Sequence, residues 1–142
     1  DSENKSVLFT VAGMQQFVPF LVGKPHPLGS RLFNIQKCIR TNDIDDIGDE
    51  RHLSMFEMMG NRSLGDYFKD DAIARSVEFL VNILGIDKEK LGATIFAGDT
   101  ARGIPKDNES LEKLKSLGIT RIKEMAFDEH GESDNFWTPG PV

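Results

Sequence analysis

Two alternating runs on either side of an acidic turn constrain this chain more than any other feature. Residues 32–40 place Phe33, Ile35 and Ile39 on one side at a strand period of two, with Lys37 among them. Asn34, Gln36, Cys38 and Arg40 lie on the other side. After the turn at residues 42–50, residues 51–59 alternate again, with His52, Ser54, Phe56 and Met58 on one face and Glu57 opposite. Two such runs joined by a turn predict an antiparallel hairpin in which Arg40 and Phe56 share one open face.

The flanking sequence supplies the other elements. Residues 7–11, VLFTV, read as a buried strand that stops at Ala12-Gly13. In residues 15–22 Pro19 argues against a regular helix, so an edge strand or extended segment is expected. Residues 23–30, GKPHPLGS, form a loop. Residues 69–84 carry Ile73, Val77, Leu80, Val81 and Leu84 on one helical stripe, with Asp70 or Asp71 as cap and Gly85 as stop. This stripe is expected to pack on the sheet. Asp87 should cap a turn through Leu91, and residues 93–96 read as a strand. Residues 107–117 read as a helix ending at Gly118, residues 119–127 as a weaker strand, and DNFWTPGPV, residues 134–142, as a loop. Strands interspersed with helices around a hairpin predict a mixed α/β sheet.

Composition narrows the class of molecule. At 142 residues the chain fits one domain with its own core, and 39% hydrophobic with 28% charged residues is the balance of a soluble globular protein. No apolar run is long enough to span a bilayer. One cysteine, Cys38, excludes an internal disulfide, and His26, His52 and His130 are not spaced as zinc ligands, so no metal site is expected in this segment. A net charge of −6 argues against a broad nucleic-acid surface on this segment alone. Both termini have the look of cut ends, one without a start or leader pattern and the other in a Pro/Gly turn.

Three side chains are candidates for chemistry. Arg40, at a strand end, offers a planar fork of donors suited to an anion; the alternative is a surface charge paired with Asp43, Asp45 or Asp46. Phe56 has the shape to stack on a planar base, or to fill a core. Trp137, in its Pro/Gly loop, is either a pocket wall or a cover over the core edge. The acidic run 42–50 lacks the ligand spacing of a calcium loop. Phosphate-binding glycine loops, dinucleotide fingerprints and a nucleophile elbow are all absent.

The hairpin and its surroundings resemble the alanyl-tRNA synthetase family of class II aminoacyl-tRNA synthetases. The resemblance is carried by QKCIR at 36–40, NDIDDIG at 42–48, FEMMGN at 56–61 and GDYFK at 65–69. LFTVAGMQQF at 8–17 is similar to the family's motif 1 strand, and DNFWTPGPV at 134–142 to the loop before its glycine-proline-cysteine segment. The resemblance implies that residues 1–142 are part of an adenylation domain, an antiparallel sheet flanked by helices, running from motif 1 through motif 2. It implies ATP-dependent activation of L-alanine, with Mg²⁺ accompanying ATP, and transfer to tRNA(Ala) by the parent protein in the cytoplasm. Arg40 then takes the place of the motif 2 arginine on the α-phosphate, Phe56 that of the phenylalanine stacked on adenine, and Trp137 that of a tryptophan lining the ATP and alanine pocket. Two departures stand out: the turn after Arg40 lacks a glycine-glycine-lysine-histidine insert, and Leu53 replaces a second histidine beside His52. Completion of the pocket is expected beyond Val142, which makes the segment inactive alone. The competing expectation is a non-catalytic nucleotide- or RNA-binding module derived from a synthetase.

Overall fold

The computed structural model describes residues 8–41 and 44–127. These fall into two compact units, within Asp1–Asp66 and Tyr67–Val142. The architecture is mixed: an antiparallel two-stranded sheet, a parallel two-stranded sheet, and helices. No described helix is long and apolar enough to cross a membrane.

The first unit begins with residues 8–14, which form no strand. Leu8 is 91% exposed, and the segment meets the sheet through one backbone bond, from Ile39 N to Thr10 O at 2.9 Å. The expected strand over 7–11 is therefore not seen in residues 8–11, and Val7 lies outside the described residues. A 3-10 turn, Gln15–Phe17, leads into the short helix α1, Val18–Leu21. Pro19 sits in the first turn of α1, where a missing N–H leaves no bond unmade, so the proline starts a helix here instead of excluding one. The 23–30 segment is a loop, as its composition predicts.

The strands β1, Arg31–Ile39, and β2, Met55–Ser63, pair antiparallel from Arg31↔Ser63 to Ile39↔Met55. β2 starts four residues later than its alternation suggests. The Asp49 carboxylate takes the amides of Arg51 and His52, so these residues turn before the ladder begins. The phase of the alternation is kept: Phe56 pairs with Cys38 and Met58 with Gln36, on the face that carries Arg40. That polar face is the covered one. Cys38 is fully buried, Asn34 Nδ2 donates to Gly13 O at 3.1 Å, and Phe17 is buried with the Arg62 guanidinium 5.7 Å from its ring centroid. The apolar face is open, with Phe33 83% and Met59 67% exposed.

In the second unit α2, Lys69–Glu78, passes into a π-helical turn, Phe79–Ile83, and closes with Ile86 N on Leu80 O at 2.9 Å. Its N-cap is Phe68, without a side-chain bond; Asp70 and Asp71 lie inside the first turn, where they favour the positive end of the helix dipole instead of capping it. Asp87 caps the 3-10 turn Lys88–Lys90 by accepting from Glu89 N at 3.0 Å. β3, Ala93–Phe96, runs parallel to β4, Ile122–Met125, and α3, Asn108–Ser116, forms the crossover. Antiparallel pairing between named strands is thus confined, among the described residues, to β1 and β2. α3 ends at Gly118 (φ +81°), whose left-handed backbone lets Ile119 N reach Leu114 O at 3.0 Å. Ile95 and Phe96 of β3, Ile119, and Val77 of α2 are buried. Within this unit α2 lies against α3, joined by Lys113 Nζ to Asp70 at 3.8 Å.

Candidate functional site

Antiparallel register brings the ends of β1 and β2 together beside the acidic turn. There Arg40, Ile47, Arg51, His52, Leu53 and Phe56 line an open cleft of about 300 Å³. Arg40 follows β1 directly, its N–H donating to Ser54 O at 2.9 Å, so strand pairing fixes the base of its side chain. Its Nε donates to Val11 O at 3.0 Å, and the guanidinium carbon stands 5.3 Å from the centroid of the Phe56 ring. The two residues that alternation placed on one face are therefore in contact. Among the described residues no carboxylate pairs with Arg40; Asp45 and Asp46 do not, and Asp43 lies outside the described residues.

One carboxylate organises the far side of the cleft. Asp49 Oδ1 accepts from Arg51 N at 2.8 Å and His52 N at 2.6 Å, and Oδ2 lies 2.6 Å from His52 Nδ1. The backbone bonds from His52 and Arg51, followed by the imidazole, hold the Asp49 carboxyl down at about 2 from an ordinary 3.8. Neither the Val11 carbonyl under Arg40 nor Asp49 beside His52 is predicted from the sequence. The spacing of Asp49 and His52, three residues apart in a turn, is the one local signal for the second contact. Trp137 lies outside the described residues.

Two other hollows differ in character. A cleft of about 530 Å³ in the first unit is lined by Phe20, Lys24, His26 and Ser63 among others, but His26 Nδ1 already accepts from Leu28 N at 3.1 Å and serves the loop. In the second unit Lys69 Nζ bonds Asp107 Oδ1 at 2.9 Å and Glu109 Oε2 at 3.3 Å, while Asp107 also accepts from Ser110 and caps α3. Burial pushes the Asp107 carboxyl up, yet the bonds from Lys69 and Ser110 outweigh it and hold it below the usual range. The Asp107 bond raises the Lys69 ammonium in turn, against the opposing effect of burial. This cluster is a structural joint between α2 and α3.

The family model for tRNA synthetases class II (A) matches residues 1–142. The chain belongs to that family of class II synthetases. This class II synthetase segment is 52% identical over 136 residues to "Alanine--tRNA ligase" of Treponema pallidum, covering 94% of this chain and 22% of that protein. It is 49% identical over 136 residues to the protein of that name from Treponema denticola, with the same 94% and 22% coverage. It is 40% identical over 150 residues to "Alanine--tRNA ligase, cytoplasmic" of Caenorhabditis elegans, covering 99% of this chain and 15% of that protein. The segment thus spans between about a seventh and a quarter of the length of these relatives.

Proposed function

We propose that this chain is the ATP-binding part of an alanine–tRNA ligase, which activates L-alanine as alanyl-adenylate and passes it to tRNA(Ala). The observation that carries the reading is Arg40, anchored on Val11 O, over the Phe56 ring at the mouth of the cleft. A planar ring beside a fixed guanidinium suits a ligand with a base at one end and phosphate at the other.

In the first step the alanine carboxylate attacks the α-phosphorus; the bond to the bridging oxygen breaks and pyrophosphate leaves with the electron pair. Little covalent work falls to the protein, so rate depends on alignment and on stabilising charge at the non-bridging oxygens. Arg40 supplies that charge from a position set by strand pairing and needs no reorganisation when it develops. Mg²⁺ accompanies ATP as part of the substrate complex and neutralises its other phosphates. Among the described residues no group of three His, Cys, Asp or Glu side chains is placed to hold a metal ion. Phe56 carries the adenine, and Trp137 is assigned to the wall shared by ATP and alanine.

Alanine-dependent ATP–pyrophosphate exchange, measured on the intact protein containing this segment, tests the reading. Arg40→Ala should lower exchange by about two to three orders of magnitude, the scale of removing one preorganised donor. A loss below threefold would return Arg40 to a surface role.

A further inference from the structure

The basic side chains of the second unit sort into two groups. Lys69, Lys106, Lys113, Lys115 and Arg102 each meet a carboxylate of the same unit, and the Arg75 guanidinium lies 4.3 Å from the centroid of the Tyr67 ring. Lys88, Lys90, Arg121 and Lys123 are exposed, and none of them forms an ion pair among the described residues.

Topology gathers these four at one end of the β3–β4 sheet. Lys88 and Lys90 belong to the 3-10 turn before β3, Arg121 directly precedes β4, and Lys123 is the second residue of β4. Parallel strands start at the same end, and here the Ala93 amide donates to Arg121 O at 2.9 Å across that end. Lys88 Nζ lies 3.9 Å from the point where a side chain on Gly118 would begin, so the turn before β3 reaches the one that feeds β4. Beside them lies an open groove of about 510 Å³ lined by Gly92, Ala93, Thr94, Arg121, Ile122 and Lys123. The nearby acids are Asp87, whose carboxylate is occupied by the Glu89 amide, Glu89 itself, and Glu124, which is tied to Lys106.

We infer that this end of the β3–α3–β4 unit holds the sugar–phosphate backbone of RNA, and that the RNA is the tRNA to which the parent protein passes alanine. This rests on the reading of the chain as part of an alanine–tRNA ligase. Cations that no carboxylate neutralises gain most against a polyanion, where each phosphate contact also releases a condensed counterion. A backbone following the groove meets glycine, alanine and threonine, which let it approach, and no aromatic ring on which a base could stack. The contact therefore adds affinity without reading sequence. A net charge of −6 argues against a broad basic surface, but a patch of four cations at one sheet end acts locally.

The test measures dissociation constants for tRNA(Ala) on the intact protein across a range of salt concentrations, with the paired variants Lys88→Ala/Lys90→Ala and Arg121→Ala/Lys123→Ala. Each pair should weaken binding about threefold to thirtyfold at low salt and reduce the slope of log affinity against log salt by about 1–2, as two lost phosphate contacts require. A tRNA of another identity should lose affinity by the same factor. Arg121→Lys/Lys123→Arg keeps the charge and should bind within about twofold of wild type. Alanine-dependent ATP–pyrophosphate exchange, which needs no RNA, should be unchanged in every variant. Unchanged tRNA affinity and salt slope in the paired variants would overturn the inference alone and give the patch to an acidic protein segment. A loss confined to tRNA(Ala), which means base recognition, or a parallel fall in exchange, which means a folding defect, would overturn it as well. A wild-type protein with neither alanine-dependent exchange nor tRNA(Ala) binding would overturn the ligase reading and this inference with it.

Discussion

The Arg40 guanidinium stands 5.3 Å from the centroid of the Phe56 ring, across the diagonal of the β1–β2 pair. A cation over a ring face is worth about 0.5–1 kcal/mol at an exposed site, enough to set the direction of the arginine but not to hold the hairpin together.

Phe56 should therefore matter to nucleotide binding more than to stability. Phe56→Ala in the intact protein is expected to raise the KM for ATP by about tenfold to a hundredfold, the cost of about 1–3 kcal/mol of base stacking. Phe56→Trp should retain most of the affinity. A lowered melting temperature with unchanged KM would assign the ring to the core.

Acid should release the turn at Asp49 late. Its carboxyl is held at about 2 against an ordinary 3.8, so the folded form binds its proton less readily than the unfolded one. The stabilisation is complete above 3.8 and is lost as pH falls through about 2. Amide resonances of Arg51 and His52 should hold their shifts well below pH 3.8, and in Asp49→Ala should be displaced already at neutral pH.

The joint between α2 and α3 has two pH limits. Lys69 is raised above its ordinary 10.5, so its contribution is present below that value and fades as pH rises through the raised one. Asp107 is lowered, so its contribution is present above 3.8 and fades as pH falls. Lys69→Met at pH 7 should cost about 1–2 kcal/mol, and Asp107→Ala at least as much because the α3 cap is lost as well. Thermal melts across pH check both.

Gly98 is predicted to resist substitution. Its φ is +89°, and an added Cβ would lie 2.7 Å from Lys106 N and 3.2 Å from Ile104 O, both backbone atoms of the turn after β3. Gly98→Ala should destabilise by about 1–3 kcal/mol from backbone strain alone. Gly60→Ala is the control, since the three atoms nearest an added Cβ there all belong to the Arg62 guanidinium, a side-chain end that can shift more readily than backbone.

Much of the hairpin was legible because a strand period of two cannot slip by one residue without turning every side chain over. That is why Arg40 and Phe56 were placed on one face from alternation alone. The start of β2 was not legible, since it depends on where the Asp49 carboxylate sends two amides, and a side-chain bond of that kind leaves no period. Nor was the covered face: alternation separates Phe33 from Asn34 but does not say which side the segment around Gly13 will occupy. Pro19 misled because the same residue that breaks a helix interior suits its first turn. The pairing direction of β3 and β4 is set by the α3 crossover, a property of topology and not of either strand.

The bond from Arg40 Nε to the Val11 carbonyl has a consequence for affinity. A free arginine side chain carries about 2 kcal/mol of rotamer entropy, which an anion must suppress when it binds. Here one of the five donors is already tied to the backbone, so the wagging of the long stem is restrained in the free protein, and on the proposed ATP reading the two terminal nitrogens are left as the fork for phosphate. Replacing Val11 would leave its carbonyl, and with it this restraint, in place; displacing the backbone at that point would return the arginine its freedom and weaken its grip without touching the guanidinium itself.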